Sequence, residues 1–177
     1  MSSILAIDPG MTTGWVFYDS IYHRVYDHGQ FREHLHDIPR EALFHAEHVV
    51  IEKPVAHGAT RPQVVDCAFI AGHLCGQLDT ESGDVELMTR REVCKILTDA
   101  CSLPTKDRVR NDATAWAALK MLHGPDCDKR PRVKAGKVVE PGGCLGTVKS
   151  HERAALAVAV AYALQCGQFE EKSLRKG

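Results

Sequence analysis

The stretch Ser3–Tyr18, SILAIDPGMTTGWVFY, decides how this 177-residue chain folds. Ile4, Leu5, Ala6 and Ile7 form a continuous apolar run, the pattern of a central strand buried on both faces. Pro9-Gly10 breaks the run, and Gly14 marks a second bend. Trp15-Val16-Phe17-Tyr18 is aromatic and β-branched, as a strand prefers. The stretch therefore reads as strand, tight turn, strand, with Asp8 at the end of the buried strand. A carboxylate there is costly to bury unless it is paired or binds a metal. Capping the turn through an Asx hydrogen bond is the alternative use of Asp8, and the stretch alone leaves both open.

The segment His48–Pro54, HVVIEKP, repeats this logic. A β-branched buried run ends in a carboxylate, Glu52, and a chain breaker follows. Parallel neighbours would bring Asp8 and Glu52 close together. Between the two runs, Ile21–Phe31 alternates loosely and reads as a third strand with one wetted face. Pro39 opens a short helix over Arg40–Ala46. After a loop over Val55–Thr60, a helix opens with Thr60 as N-cap and Pro62 in its first turn. Val64, Val65, Ala68, Phe69, Ala71, Gly72, Leu74, Cys75 and Leu78 give it a broad apolar face. Asp84–Met88 alternates as a short strand. Thr89-Arg90-Arg91-Glu92 has capping-box spacing and opens a helix that ends near Asp99. A further helix runs from Leu103 to Leu122, with Val109, Ala113, Trp116, Ala117 and Met121 on one face, and Gly124-Pro125 stops it.

Composition is ordinary for a folded chain, 44% hydrophobic and 25% charged. The formal net charge is −1, so any surface for nucleic acid must be local. No stretch approaches the roughly 18 apolar residues of a membrane span, and no secretory signal is expected at the N-terminus. The seven cysteines, Cys67, Cys75, Cys94, Cys101, Cys127, Cys144 and Cys166, are odd in number and lack CxxC spacing. They are expected to be reduced, mostly buried thiols of a cytosolic protein rather than a zinc site or a disulfide framework.

Positive charge gathers in two places. Lys106, Arg108, Arg110 and Lys120 are candidate phosphate contacts, or simply a solvated helix surface. Asp126–Lys149 holds Lys129, Arg130, Arg132, Lys134, Lys137 and Lys149 among prolines and glycines. A long basic segment of this kind suits a sugar–phosphate backbone, and a plain linker is the alternative. Val133 and Lys137-Val138-Val139 could pair as a small hairpin within it. The last element, opened by Ser150 as N-cap, is apolar nearly all round from Ala154 to Leu164 and so reads as a buried helix. His151 and Glu152 sit at its entrance, where an acid is also favoured by the helix dipole. The helix phase cannot place both in one site equally well.

IDPGxxTG at Ile7–Gly14, VVIEKP ending the second buried run, and SHERAALAVAVAYAL from Ser150 come in a telling order. Together they resemble the RuvC family of Holliday junction resolvases, in the ribonuclease-H-like superfamily, and its phage-type members in particular. The resemblance covers residues 3–165. It implies an α/β fold, a ribonuclease-H-like five-stranded mixed sheet with helices on both faces and its first three strands antiparallel. Residues 1–166 would form one nuclease domain with a basic loop at 124–149, followed by a charged tail over 167–177.

The same resemblance implies a cytoplasmic homodimer, in a bacterial or phage-infected cell, that cuts branched DNA symmetrically. It implies two Mg²⁺ or Mn²⁺ ions per active site, which hard oxygen ligands suit. Asp8 would bridge the metals and Glu52 would hold one of them. His151 matches a position that carries Asp or His in the family; with Ala154 three residues on, either His151 suffices, or Glu152 substitutes, or metal binding is weakened. Lys106 would contact the scissile phosphate. By their charge alone, Arg108, Arg110 and the basic segment are candidate DNA contacts, and the helix Arg61–Leu78 could supply the dimer interface through Phe69 and Leu74, which core packing explains equally well.

The chain departs from the family pattern twice. Ala154 stands where many members carry a further Asp, and Val55 where well-studied members carry an aromatic residue. Ala154 keeps open a protein that binds branched DNA without cutting it. IDPGMTTG also resembles the phosphate-binding hairpin of actin-like ATPases. Those proteins need two such domains, and this chain has neither the length nor a second glycine-rich loop.

Overall fold

The computed structural model describes residues 3–32, 38–55, 62–82, 85–103, 112–124, 126–134, 136–140 and 142–168. Five strands form one mixed sheet: β1 (Ser3–Asp8), β2 (Thr13–Asp19), β3 (Arg24–Phe31), β4 (His48–Lys53) and β5 (Val85–Thr89). Their order is β3-β2-β1-β4-β5. β1–β2 and β2–β3 are antiparallel, while β1–β4 and β4–β5 are parallel. The expected mixed five-stranded sheet is present, with the Ile4–Ile7 run at its centre.

Side chains alternate across β1, so that one strand feeds two cores. Ile4 and Ala6 face a core shared with α3 (Arg90–Ala100), α4 (Asp112–His123) and α5 (Ser150–Gln165). Leu5 and Ile7 face the other, shared with α1 (Arg40–His45) and α2 (Pro62–Ser82). Helices thus cover both faces. Every residue from Ala154 to Ala163 on α5 is buried, as its all-round apolar sequence requires. Among the described residues no helix is long and apolar enough to cross a membrane.

The Thr89–Glu92 capping box forms at the start of α3. Glu92 N–H donates to Thr89 Oγ1 at 3.2 Å, and Thr89 N–H donates to Glu92 Oε2 at 2.7 Å. The basic segment holds the expected hairpin, β6 (Arg132–Lys134) against β7 (Lys137–Glu140), as a separate two-stranded sheet.

Several expectations change. Gly14 lies inside β2, paired with Asp8, and is not a bend. α4 buries Ala115, Ala118, Leu119 and Leu122, while Ala113, Ala117 and Met121 face outward. An alanine-rich helix is apolar on several faces at once, so periodicity alone does not fix its phase. Among the described side chains of α2, Ala71, Leu74 and Leu78 are buried, and Val65 and Phe69 are exposed. Lys149, not Ser150, is the N-cap of α5. Only Cys94 and Cys127 of the seven free thiols are buried. Thr60, Arg61, Lys106, Arg108, Val109, Arg110 and the tail from residue 169 lie outside the described residues.

The Thr89 hydrogen bonds hold the Glu92 carboxyl below the usual glutamate range. Stability from a lowered carboxyl is full above its unfolded value and is lost as pH falls through its folded value. Thr89→Ala is expected to cost about 1 kcal/mol near neutral pH. In urea unfolding, that gap should narrow in acid, once Glu92 is protonated. A gap that stays constant down to pH 3 would contradict the box as the source.

Candidate active site

Three parallel strands end at the same edge of the sheet, the edge where open α/β sheets bind ligands. β1 ends in Asp8 and β4 carries Glu52 next to its last residue. β5 passes directly into α3, whose first residue is Arg90. The register pairs Ile7 with Ile51, which sets the two acids side by side. Arg90 Nη2 lies 2.6 Å from Glu52 Oε2 and 3.4 Å from Asp8 Oδ1. All three side chains are mostly buried, with 15% exposure for Asp8, 11% for Glu52 and 26% for Arg90.

The other oxygen of Asp8 faces α5. His151 Nδ1 lies 3.6 Å from Asp8 Oδ2, and the imidazole is about half exposed. Glu152 points elsewhere, as a rotation of about 100° per residue demands. It is buried, accepts the Lys149 backbone N–H at 2.7 Å, and lies 2.9 Å from His28 Nδ1. His28 Nε2 in turn meets Thr147 Oγ1 at 2.9 Å. The structure therefore sets Asp8 beside Glu52, with Arg90 between them, and beside His151, and it leaves Glu152 tying the start of α5 to β3.

Gly14 sets the distance between α5 and the sheet. A Cβ built there would land on the His151 carbonyl and the Glu152 nitrogen. The backbone of His151 rests directly on β2, one strand from Asp8. Any larger residue at 14 would force the His151 backbone off β2.

Two clefts open beside this group, and Asp8 and Arg90 line both. One, of about 640 Å³, also includes Glu52, Val55, Cys67 and Arg91. Burial first, and the nearby Asp8 carboxylate second, push the Cys67 thiol up, which keeps it protonated and a poor nucleophile. The other, of about 430 Å³, includes Trp116, His151, Arg153 and Ala154. The Arg153 guanidinium stacks 4.2 Å from the centre of the Trp116 ring.

Two carboxylates and an imidazole are donors that suit Mg²⁺ or Mn²⁺. Two acids that meet one cation between them make a cation site. The donor types therefore fit a divalent metal. Among the described residues, however, no three His, Cys, Asp or Glu side chains converge on one point as they stand. The guanidinium of Arg90 takes the place between the acids.

No protein-family model matches the sequence, and no curated protein matches it. Solved structures do match its fold. RuvC of Thermus thermophilus in complex with a Holliday junction substrate superposes with a TM-score of 0.55 at 14% identity, over 95% of this chain and 96% of that one. Another Thermus thermophilus RuvC structure gives 0.51 at 16% identity, over 94% and 96%. The chain has the fold of RuvC.

On that RuvC fold, Asp8 and Glu52 lie at the sheet edge, and Glu152 does not. Lys106, Arg108 and Arg110 cannot be placed, since they lie outside the described residues. Of the basic segment, Lys129 pairs with Asp126 at 2.8 Å and Arg132 with Glu140 at 3.0 Å. Arg130, Lys134, Lys137 and Lys149 are exposed.

Sequence reading missed Arg90, which it took only for the first turn of a helix. The signal was available: Arg90 directly follows the third strand that ends at this edge. It also missed His28, for which no local pattern in the sequence gives a role.

Gly14→Ala is expected to destabilise the protein by about 1–3 kcal/mol through overpacking. At about 2–4 °C per kcal/mol for this chain length, the melting temperature should fall by about 2–12 °C. An unchanged melting temperature would show that α5 does not rest on β2 as described.

Proposed function

We propose that this protein is a divalent-metal-dependent endonuclease of branched DNA that nicks four-way junctions symmetrically, in recombination and repair. The observation that carries this reading is the meeting of Asp8 and Glu52 at the carboxyl edge of a RuvC-fold sheet, with His151 at the far oxygen of Asp8. The junction-bound RuvC of similar fold suggests the substrate class.

In this proposal Asp8, Glu52 and His151 hold two Mg²⁺ or Mn²⁺ ions per site. Bound there, the ions would supply a nucleophilic water at neutral pH and stabilise the leaving oxygen. Asp8 can serve both because its two oxygens face different neighbours. Glu152, tied to Lys149 and His28, holds the helix start that carries His151. Lys106 is proposed to contact the scissile phosphate. Arg108, Arg110 and the exposed Arg130, Lys134, Lys137 and Lys149 are proposed to follow the DNA backbone, with Lys129 and Arg132 sharing their charge with acids.

Cutting paired positions needs two active sites related by two-fold symmetry, so the active form is proposed to be a homodimer. Val65 and Phe69 on α2, 55% and 77% exposed, offer apolar surface for it. Leu74 is committed to the core. The proposed setting is the cytoplasm of a bacterial or phage-infected cell. A second reading rests on Ala154: with no carboxylate there, the protein would bind junctions and leave them whole.

Nicking of a four-way junction in Mg²⁺, by protein shown to be dimeric in sedimentation, decides between the two. Asp8→Asn should abolish nicking and leave junction binding intact. His151→Asp should keep substantial activity, His151→Ala should lose it, and Glu152→Gln should act mainly on stability. Full nicking by Asp8→Asn, or active protein that sediments only as a monomer, would overturn the reading.

Junction affinity should fall with salt. Charge reversal at Arg130, Lys134 and Lys137 should lower the slope of log affinity against log salt by about one per lost phosphate contact. An unchanged slope would assign the hairpin to another task.

A further inference from the structure

Arg90 is the one described cation whose position depends on both acids of the site at once. Its guanidinium meets Glu52 at 2.6 Å and Asp8 at 3.4 Å through the same nitrogen. It is carried on the first turn of a helix pinned by the Thr89–Glu92 capping box, so its backbone is fixed while its long side chain can turn. It also lines both clefts, which gives the side chain somewhere to go.

Two mostly buried carboxylates at adjacent strand ends repel each other unless a positive charge lies between them. A divalent ion bound by Asp8 and Glu52 would need that same place. A guanidinium and a divalent cation cannot share it, because both are positive and both need the same oxygens. We propose that Arg90 is a built-in counterion that holds Asp8 and Glu52 together until a divalent metal displaces it, so that metal loading is a competition with the guanidinium. Arg90 then acts on the metal site as a positioning residue. Once displaced, it swings into a cleft that it already lines. This inference rests on the proposed metal-dependent function.

The test is Mn²⁺ binding by the full chain, measured by calorimetry or by electron paramagnetic resonance, with melting curves in chelator and in saturating Mn²⁺. Arg90→Met should bind Mn²⁺ at least about tenfold more tightly than wild type, because the ion no longer has to displace a guanidinium from the two carboxylates. In chelator it should melt below wild type, and in saturating Mn²⁺ the two should converge. Equal or weaker Mn²⁺ binding by Arg90→Met would overturn the inference.

A second measurement does not depend on that variant folding. In wild type, the Arg90 side-chain NMR signal, assigned by its loss in Arg90→Lys, should gain fast exchange with water when Mg²⁺ is added. A signal that stays protected in saturating Mg²⁺ also overturns the inference. Asp8→Asn separates the two levels. If wild type and Asp8→Asn bind Mn²⁺ equally, or neither binds it, the metal site itself is wrong, and the proposed function fails before the role of Arg90 is reached.

Discussion

The burial of β1 on both faces is the constraint on which the rest depends. Ile4, Leu5, Ala6 and Ile7 are fully buried, two toward each core. A strand in that position needs a hydrogen-bonded neighbour on each side and a helical layer above and below. β2 and β4 supply the neighbours. α5, apolar on every side, fills one layer, and α1 and α2 fill the other. A polar residue anywhere in the run would be buried in one core or the other, so the strand can carry a charge only where it leaves the core, and there it carries Asp8.

That placement creates an electrostatic problem which the surrounding residues resolve. β4 is parallel to β1 and ends in the same way, so Glu52 arrives beside Asp8. Two like charges in a mostly buried setting would ordinarily force one to take up a proton. Here Arg90 meets both. Its charge arrives through a third parallel strand, β5, and a sharp passage into α3. On the other side of α5's first turn, Glu152 is held by a backbone N–H and by His28. The two acids of the site and the acid of the helix start are thus kept apart by helix phase, although His151 and Glu152 are consecutive residues.

The proposed DNA surface has the opposite character. With a net charge of −1, the chain has no long-range field to steer an anionic polymer. Part of the basic segment is neutralised by its own acids, since Lys129 and Arg132 each meet a carboxylate. Exposed pairs of this kind contribute little to stability. Their effect is on the local potential, and it leaves the positive charge of the segment to Arg130, Lys134, Lys137 and Lys149.

The sequence by itself determined the sheet and the acids at its edge. Continuous apolar runs, each closed by one carboxylate and one chain breaker, are local patterns, and local patterns survive without knowledge of the fold. The same holds for the α3 capping box, the small hairpin and the all-apolar α5. Tertiary structure alone decided the rest. α4 has apolar residues on several faces, and only the neighbours it meets select Ala115, Ala118, Leu119 and Leu122 as the buried set. Gly14 looked like a bend because glycine often is one, but its use is to let the His151 backbone rest on β2. Arg90 and His28 lie 82 and 124 positions from the acids they meet, Asp8 and Glu152, and nothing local marks such a pair. Contacts of that range are fixed by which strands are neighbours and by the angle at which one helix turns, and these are properties of the folded chain as a whole.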